Sequence, residues 1–198
     1  RRLGMKIDNN ASAGSSKARA LSKRNYPPGI HGPKGHPRTT DYGLHLQEKQ
    51  RVRMMYGIME KQLRNYFKEA VKSKESSGLK FIELLERRLD NVIYRLGLAN
   101  TRRQARQLVS HSHFLINGKK MNVPSYTVKT GDVITLKKAG DTEKGPIAEN
   151  LKNIAKYETP EWLIWDVQNK KGQVTGLPQA TDLEVGIDSR LIVEFYSR

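Results

Sequence analysis

The 198-residue sequence predicts an α+β fold. Three observations carry that expectation. Apolar residues recur at helical spacing through residues 44–110. Short strand-like segments joined by hairpin turns follow from Phe114. The charge is uneven along the chain: residues 1–80 hold 18 Lys/Arg against 6 Asp/Glu, residues 81–140 hold 11 against 4, and residues 141–198 hold 7 against 10. The basic excess thus lies in residues 1–140, and residues 141–198 are mildly acidic.

Residues 1–40 read as a basic, irregular extension. The stretch 9–16 is small and polar, and residues 25–38 are dense in Pro and Gly. Pro lacks a backbone donor and Gly opens positive φ, so neither helix nor strand persists there. The chain starts at Arg1-Arg2-Leu3-Gly4, without Met or the apolar run of a signal peptide, so the natural N-terminus is expected earlier.

A first helix is expected over residues 44–73. Val52, Met55, Tyr56, Met59, Leu63, Tyr66, Phe67 and Ala70 form one stripe, which reads as core. Lys49, Arg51, Arg53, Lys61, Arg64 and Lys68 lie mostly off it. Acidic partners are scarce, which makes these six residues, Arg51 and Arg53 among them, candidates for phosphate contact as well as for a solvated face. Ser76-Ser77-Gly78 breaks the pattern. A second helix is expected over residues 80–98, with Ile82, Leu85, Leu89, Val92, Ile93 and Leu96 inward and Gly97 or Asn100 as its stop. Thr101 is a good N-cap with Gln104 three residues on, so a third helix should run to residue 110.

Phe114-Leu115-Ile116 then reads as a strand, Asn117-Gly118 as a hairpin turn and Met121-Asn122-Val123 as the return. Tyr126-Thr127-Val128 and Val133-Ile134-Thr135-Leu136 read as further strands. After a polar linker at 140–144, Pro146 opens a helix with Ile147, Leu151 and Ile154 on one side. Residues 162–167 and 191–196 read as strands. Leu191-Ile192-Val193 is too apolar for a free tail and must dock.

The formal net charge is +16. Such an excess attracts polyanions and releases their counterions on contact. The basic residues are mixed with polar ones and lack a Trp/Leu-rich insertion face, which favours nucleic acid over a membrane surface. The absence of cysteine excludes disulfides and thiolate metal sites. No segment reaches the roughly 20 apolar residues of a membrane span. An enzyme needs a positioned acid, base or nucleophile, and none is legible. His111 and His113 form a lone H-x-H without a third ligand, and Asp90 is expected to pair with a neighbouring Arg.

The third helix is the most informative element. At roughly 100° per residue, Arg102, Arg103 and Arg106 share one arc, while Ala105, Leu108 and Val109 share another. The arginines are expected outside, where their planar forks suit phosphate. They lie in the first turns, where the helix dipole favours an anion. Replacing Arg102 and Arg106 together is therefore expected to weaken nucleic-acid binding and its salt dependence.

These residues also carry a resemblance. Glu86-Arg87-Arg88-Leu89-Asp90-Asn91 to Gly97, Thr101-Arg102-Arg103-Gln104-Ala105-Arg106-Gln107 to His111, Ile116-Asn117-Gly118-Lys119, and Pro124 onward to Gly131-Asp132 resemble the S-four RNA-binding domain. The flanks Asp41-Tyr42-Gly43-Leu44, Tyr56-Gly57 to Tyr66, and Leu191-Ile192-Val193-Glu194-Phe195-Tyr196-Ser197 are similar to the bacterial small-subunit (30S) ribosomal protein S-four family. The resemblance spans nearly the whole chain. It implies a basic extension (1–40), a helical domain (41–86), an inserted S-four module of two helices and a small antiparallel sheet (87–150), and a C-terminal segment (151–198) that returns to the helical domain.

The resemblance also implies a structural constituent of the small ribosomal subunit, in the cytoplasm. It would bind 16S ribosomal RNA early in assembly, at a multi-helix junction in the 5′ domain. It would touch ribosomal protein S-five, an interface tied to decoding accuracy. It would lie near protein S-three and the channel through which mRNA enters. Some members repress their own operon mRNA. Some hold zinc on four N-terminal cysteines; none is present here, so no metal is expected. No other cofactor is expected, and no homo-oligomer is needed. Carried over by position, Arg88, Thr101, Arg102, Arg103, Arg106, Gln107, His111, Asn117 and Lys119 are expected to face RNA. His31, Lys34 and Arg38 are expected to face RNA or the mRNA path. Enzymes with this module, pseudouridine synthases and tyrosyl-tRNA synthetases, add a large catalytic domain for which 198 residues leave no room. The alternative is an RNA-binding assembly or stress factor on the same module, which needs neither the long helical part nor the apolar C-terminal segment.

Overall fold

The computed structural model describes residues 3, 22–35, 38–73, 76–137, 146–154, 157–179 and 187–197. The polar run at 9–16, residues 36–37 and the linker at 140–144 lie outside them. In the Pro/Gly-rich stretch, the described residues hold a single 3-10 turn, Gly32–Lys34.

The single helix expected over 44–73 is two helices, α1 (Asp41–Met55) and α2 (Glu60–Val71). Thr40 starts α1, its Oγ1 accepting from the Gly43 N–H at 3.2 Å. The break is a glycine stop. Gly57 sits at φ 63°, its N–H reaches the Met54 carbonyl, and the Ile58 N–H reaches the Arg53 carbonyl at 3.1 Å. This is the paired closure that a left-handed residue allows at a helix end. The turn shifts the apolar phase: Ile58 is buried, whereas Met59, expected inward, is 80% exposed.

The second expected helix is also two, α3 (Ser77–Glu86) and α4 (Leu89–Arg95). Arg88 between them is extended and bridges Thr127. Leu89 N–H donates to the Tyr126 carbonyl at 2.8 Å and Val128 N–H to the Arg87 carbonyl at 2.9 Å. Residues 126–128, expected as a sheet strand, thus serve as a strap over this break. Gly97, at φ 77°, ends α4 with the same paired closure as Gly57.

Helix α5 (Arg102–Ser110) starts where expected. Thr101 Oγ1 accepts from Gln104 N–H at 3.2 Å, and Gln104 Oε1 accepts from Asn100 N–H at 2.7 Å. Losing the cap leaves an orphan donor, so Thr101→Ala is expected to cost about 1 kcal/mol. Urea unfolding checks this; an unchanged midpoint contradicts the cap.

Strands β1 (Phe114–Ile116) and β2 (Lys119–Met121) form the hairpin, with Asn117 and Gly118 both at positive φ. The primed turn suits the twist of the strands it joins. Strand β3 (Val133–Leu136), helix α6 (Pro146–Asn153), and strands β4 (Leu163–Asp166) and β5 (Lys171–Val174) follow. The five strands form one antiparallel sheet in the order β2-β1-β3-β5-β4. One core lies between its inner face and α4, α5 and α6, with Leu89, Ile93, Leu96, Val109, Phe114, Ile134 and Leu163 buried.

The second core joins α1, α2 and α3 to the C-terminus. Residues 191–196, expected as a strand, belong instead to helix α7 (Ser189–Ser197). Ile192 is fully buried, and Val193 and Tyr196 pack beside it. That spacing is helical, so the apolar run docks as expected, but as a helix. The acidic tail is therefore divided: residues 163–174 extend the sheet, and α7 covers the helical part.

Candidate nucleic-acid interface

Helix α5 lies against α4 through Ala105, Leu108 and Val109, all buried. Residue 102 precedes 105 by three and 109 by seven, so it belongs to that inward stripe. Arg102 is accordingly 7% exposed. Its Nε donates to Asn91 Oδ1 at 2.8 Å, and its guanidinium carbon lies 4.9 Å from the Tyr56 ring centroid and 4.5 Å from that of Tyr94. Asn91 Nδ2 donates to Glu86 Oε2 at 2.7 Å. Glu86 also accepts from the Tyr56 hydroxyl and, at 3.0 and 2.9 Å, from Nε and Nη2 on one edge of Arg95. Burial pushes the Glu86 carboxyl up, but the charge and hydrogen bonds of Arg95, with Arg102 and Tyr56, outweigh it and hold the group below the usual carboxylate range.

Arg88 is buried too, at 2% exposure. Its Nε and Nη2 donate to the two Asp90 carboxylate oxygens at 3.0 and 2.7 Å, and its Nη1 to the Tyr66 oxygen at 2.8 Å. Burial disfavours the Arg88 cation, but the bidentate pair more than restores it. Asp90 thus pairs with an Arg, as its position suggested. The expectation that Arg88 and Arg102 face RNA is corrected. Both are enclosed, and together they tie α1 and α2 to α4 and α5.

The remaining residues of α5 form a different face. Arg103, Arg106, Gln107 and His111 are all accessible at its surface. Arg106 Nη1 donates to the Gly57 carbonyl at 3.1 Å and lies 4.0 Å from Asp90 Oδ2, while half its side chain stays accessible. This joins the α5 face to the α1–α2 turn. The stretch from Thr101 to Ser110 holds no carboxylate. Lys119 and Lys120 extend the exposed cations along β2. Lys119 pairs with Ile116, so it stands on the sheet face that carries the helices, and Lys120 stands on the other.

Other carried-over residues have different surroundings. Thr101 is the helix cap. Asn117 is exposed, but its Nδ2 donates to Asp132 and its Oδ1 accepts from Val133 N–H, each at 2.9 Å. Its side chain therefore serves the hairpin. His31, Lys34 and Arg38 are exposed on the segment before α1. Arg51 is mostly covered, 3.5 Å from Glu48. Arg53 is half-buried, near enough to Glu60 to help lower its pKa, against the raising effect of burial and behind the hydrogen bonds from Lys49 and Tyr196. Lys49, read from the sequence as outside the stripe, is buried 2.9 Å from Glu60.

The buried charge cluster is what sequence reading missed. Its one signal was Glu86, four residues after Ile82 and three before Leu89 on an inward arc. A carboxylate there requires buried donors. Among the described residues no group of three His, Cys, Asp or Glu is placed to hold a metal ion. No described helix is long and apolar enough to cross a membrane.

Comparison with known proteins finds two families in order along the chain. Residues 1–86 match the family described as ribosomal protein S4/S9 N-terminal domain, and residues 87–134 match the S4 (S-four) domain. The boundary falls at Glu86 and Arg87, between α3 and α4. The small ribosomal subunit protein uS4 of Aquifex aeolicus is 49% identical over 204 residues, covering 100% of this chain and 94% of its own length. Its namesake in Persephonella marina is 48% identical over 201 residues, with 100% and 94% covered. That of Geobacter metallireducens is 48% identical over 179 residues, with 90% and 85% covered. With full-length relatives at this identity and both domain profiles in order, the chain belongs to the ribosomal protein S4 family.

Proposed function

We propose that this protein is a structural constituent of the small ribosomal subunit that binds 16S ribosomal RNA without catalysing a reaction on it. The observation that carries the reading is the outer face of α5, where Arg103, Arg106, Gln107 and His111 stand together on an element without a carboxylate. Guanidinium forks suit phosphate, and the exposed amide and imidazole add donors that suit RNA edges and 2′-hydroxyls. Family membership and the names of the relatives support the ribosome, and hence the cytoplasm, as its place. Contacts with proteins S-five and S-three, a position by the mRNA channel and a part in accuracy are the finer reading, supported by the family resemblance alone.

The long helical part and its docked α7 favour a constituent over an assembly or stress factor. A constituent co-sediments with the small subunit through a high-salt gradient, whereas a factor washes off.

The direct test uses Arg103→Ala with Arg106→Ala, since Arg102 is internal. Binding to a 16S 5′-domain transcript is expected to weaken. The slope of log K against log salt should become shallower by about 0.7–0.9 for each phosphate that is no longer neutralised. A duplex DNA of equal charge should compete poorly if shape and 2′-hydroxyls are read. An unchanged slope removes these arginines from the interface.

A further inference from the structure

We infer that Asn117-Gly118 is a deamidation site that the folded hairpin holds shut, and that its product breaks the hairpin. This concerns the covalent chemistry of the turn and does not depend on what the hairpin binds. Asn117 is the one asparagine of the sequence that is followed by glycine. The Gly118 nitrogen can close a five-membered ring on the Asn117 side chain, and glycine, with no Cβ, leaves that nitrogen unhindered. A bond forms between Gly118 N and Asn117 Cγ. Nδ2 leaves as ammonia with the proton from the Gly118 N–H, and a succinimide remains. Water then opens the ring at one of its two carbonyls. One opening gives aspartate, the other isoaspartate, in which the main chain runs through the former side chain. The turn is open to that water. Both residues are exposed, and a Cβ at Gly118 would meet no atom within 4 Å.

In the folded hairpin both ends of the carboxamide are held. Nδ2 donates to Asp132 Oδ1 and Oδ1 accepts from the Val133 N–H, each at 2.9 Å. The Asn117 N–H donates to the Val133 carbonyl at 2.9 Å, and the residue stands at φ 50°. Turning Cγ onto the Gly118 nitrogen rotates the side chain and breaks both carboxamide bonds. Their acceptor is itself fixed. Asp132 is 7% exposed, and its Oδ2 accepts from the Lys129 N–H at 2.8 Å and the Tyr126 hydroxyl at 3.4 Å. Ring closure therefore runs through opened hairpins or through chain that has not folded, and the modification marks time spent unfolded.

The product differs at the atom that meets Asp132. Aspartate has an acceptor oxygen where Nδ2 was the donor, so two carboxylates face each other at hydrogen-bond distance. They repel, and one of them must take up a proton to stay there. Isoaspartate instead adds a main-chain atom to the turn between Ile116 and Lys119, which pair across the hairpin. A hairpin's register follows its loop length, so the added atom disturbs the pairing. Either product also weakens the junction of β1 with β3, which Asn117 makes through Val133.

The test incubates the full chain in mildly alkaline buffer, folded and unfolded in guanidinium chloride. Mass spectrometry of the tryptic peptide 107–119 follows residue 117, and enzymatic methylation counts isoaspartate. Deamidation at Asn117 is expected to be about tenfold or more faster in the unfolded chain, because the folded hairpin reacts only through local opening. Asp132→Ala frees Nδ2 and should raise the folded-state rate towards the unfolded one. Gly118→Ala should slow the reaction in the unfolded chain, where the fold of the variant does not matter. Asn117→Asp should unfold at lower denaturant than the native chain at neutral pH, and the gap should narrow as acid protonates one of the two carboxyls. No faster reaction at Asn117 than at the other asparagines of the unfolded chain overturns the site. Equal rates in the folded and unfolded native chain overturn the gate, as does an unchanged rate in folded Asp132→Ala. Should Asp132→Ala fail to fold, the two native rates decide. Asn117→Asp as stable as the native chain at neutral pH overturns the effect on the hairpin.

Discussion

Replacing Glu86 with Ala is expected to lower the free energy of unfolding by about 3–5 kcal/mol, as measured by urea denaturation. Its carboxylate is the acceptor for Tyr56, Asn91 and both Nε and Nη2 of Arg95, and it lies within the field of Arg102. Removing it takes the carboxylate that faces Arg95 and Arg102 out of a covered site, the costly way to break a buried pair. A loss below about 1 kcal/mol, the scale of an exposed pair, contradicts the cluster as described. The pH dependence gives a second readout. The folded-state pKa of Glu86 lies below its unfolded value, so its contribution is complete above the usual carboxylate range. It is lost as pH falls through the lower folded value. Glu86→Gln removes that titration and should flatten the acid limb of the stability curve. An acid limb as steep as in the native chain contradicts the assignment.

Ile192→Ala is expected to cost about 2–5 kcal/mol, the range for truncating a fully buried branched side chain. Ile192 is the one fully buried residue of α7, set among residues of α1, α2 and α3. Around it, His45 Nε2 lies 2.8 Å from Glu194, and Tyr196 stacks on Phe67 with ring centroids 4.8 Å apart. Hydrogen exchange should show faster exchange in α1 and α7 and little change in β1–β3, whose core is separate. Equal loss of protection across the sheet contradicts two cores, and a cost under about 0.5 kcal/mol contradicts the docking of α7.

Much of this fold was legible where local rules agree with packing. Thr101 with Gln104, Asn117-Gly118 and the stripe through Leu63, Tyr66 and Phe67 each state their geometry within a few residues. The departures have identifiable causes. Periodicity continues across Gly57 because Met59 happens to hold the helical phase, while the glycine stop turns Ile58 inward instead. Leu191-Ile192-Val193 is apolar and short, and such a run does not distinguish strand from buried helix until its partner is known. Tyr126-Thr127-Val128 has strand composition, yet its backbone is used by the extended link at Arg87 and Arg88.

The proposed interface can be read from sequence to the level of the element and not of the side chain. The arginines of α5 mark the helix, but Arg102 also falls on the Ala105 and Val109 stripe, and the presence of Glu86 and Asn91 beneath it decides its direction. Those partners are 16 and 11 residues away in sequence and lie across a helix break. Arg88 escapes sequence reading for the same reason, since Tyr66 and Asp90 enclose it from two elements. Arg103 and Arg106 were legible from spacing as outward residues, whereas Gln107 and His111 entered through the family resemblance.

The proposed seat of RNA on the outer face of α5 and the β1–β2 hairpin, with Arg88 and Arg102 organising that face from inside, predicts a defined footprint on the protein. Ultraviolet crosslinking of the native chain to the 16S 5′-domain transcript, with crosslinked residues assigned by mass spectrometry, reads that footprint residue by residue. Crosslinks are expected at Arg103, Gln107, His111 and Lys119 and none at Arg88 or Arg102. Crosslinks confined to β4, β5 and α7, with the α5 face unmarked, contradict an RNA interface on α5.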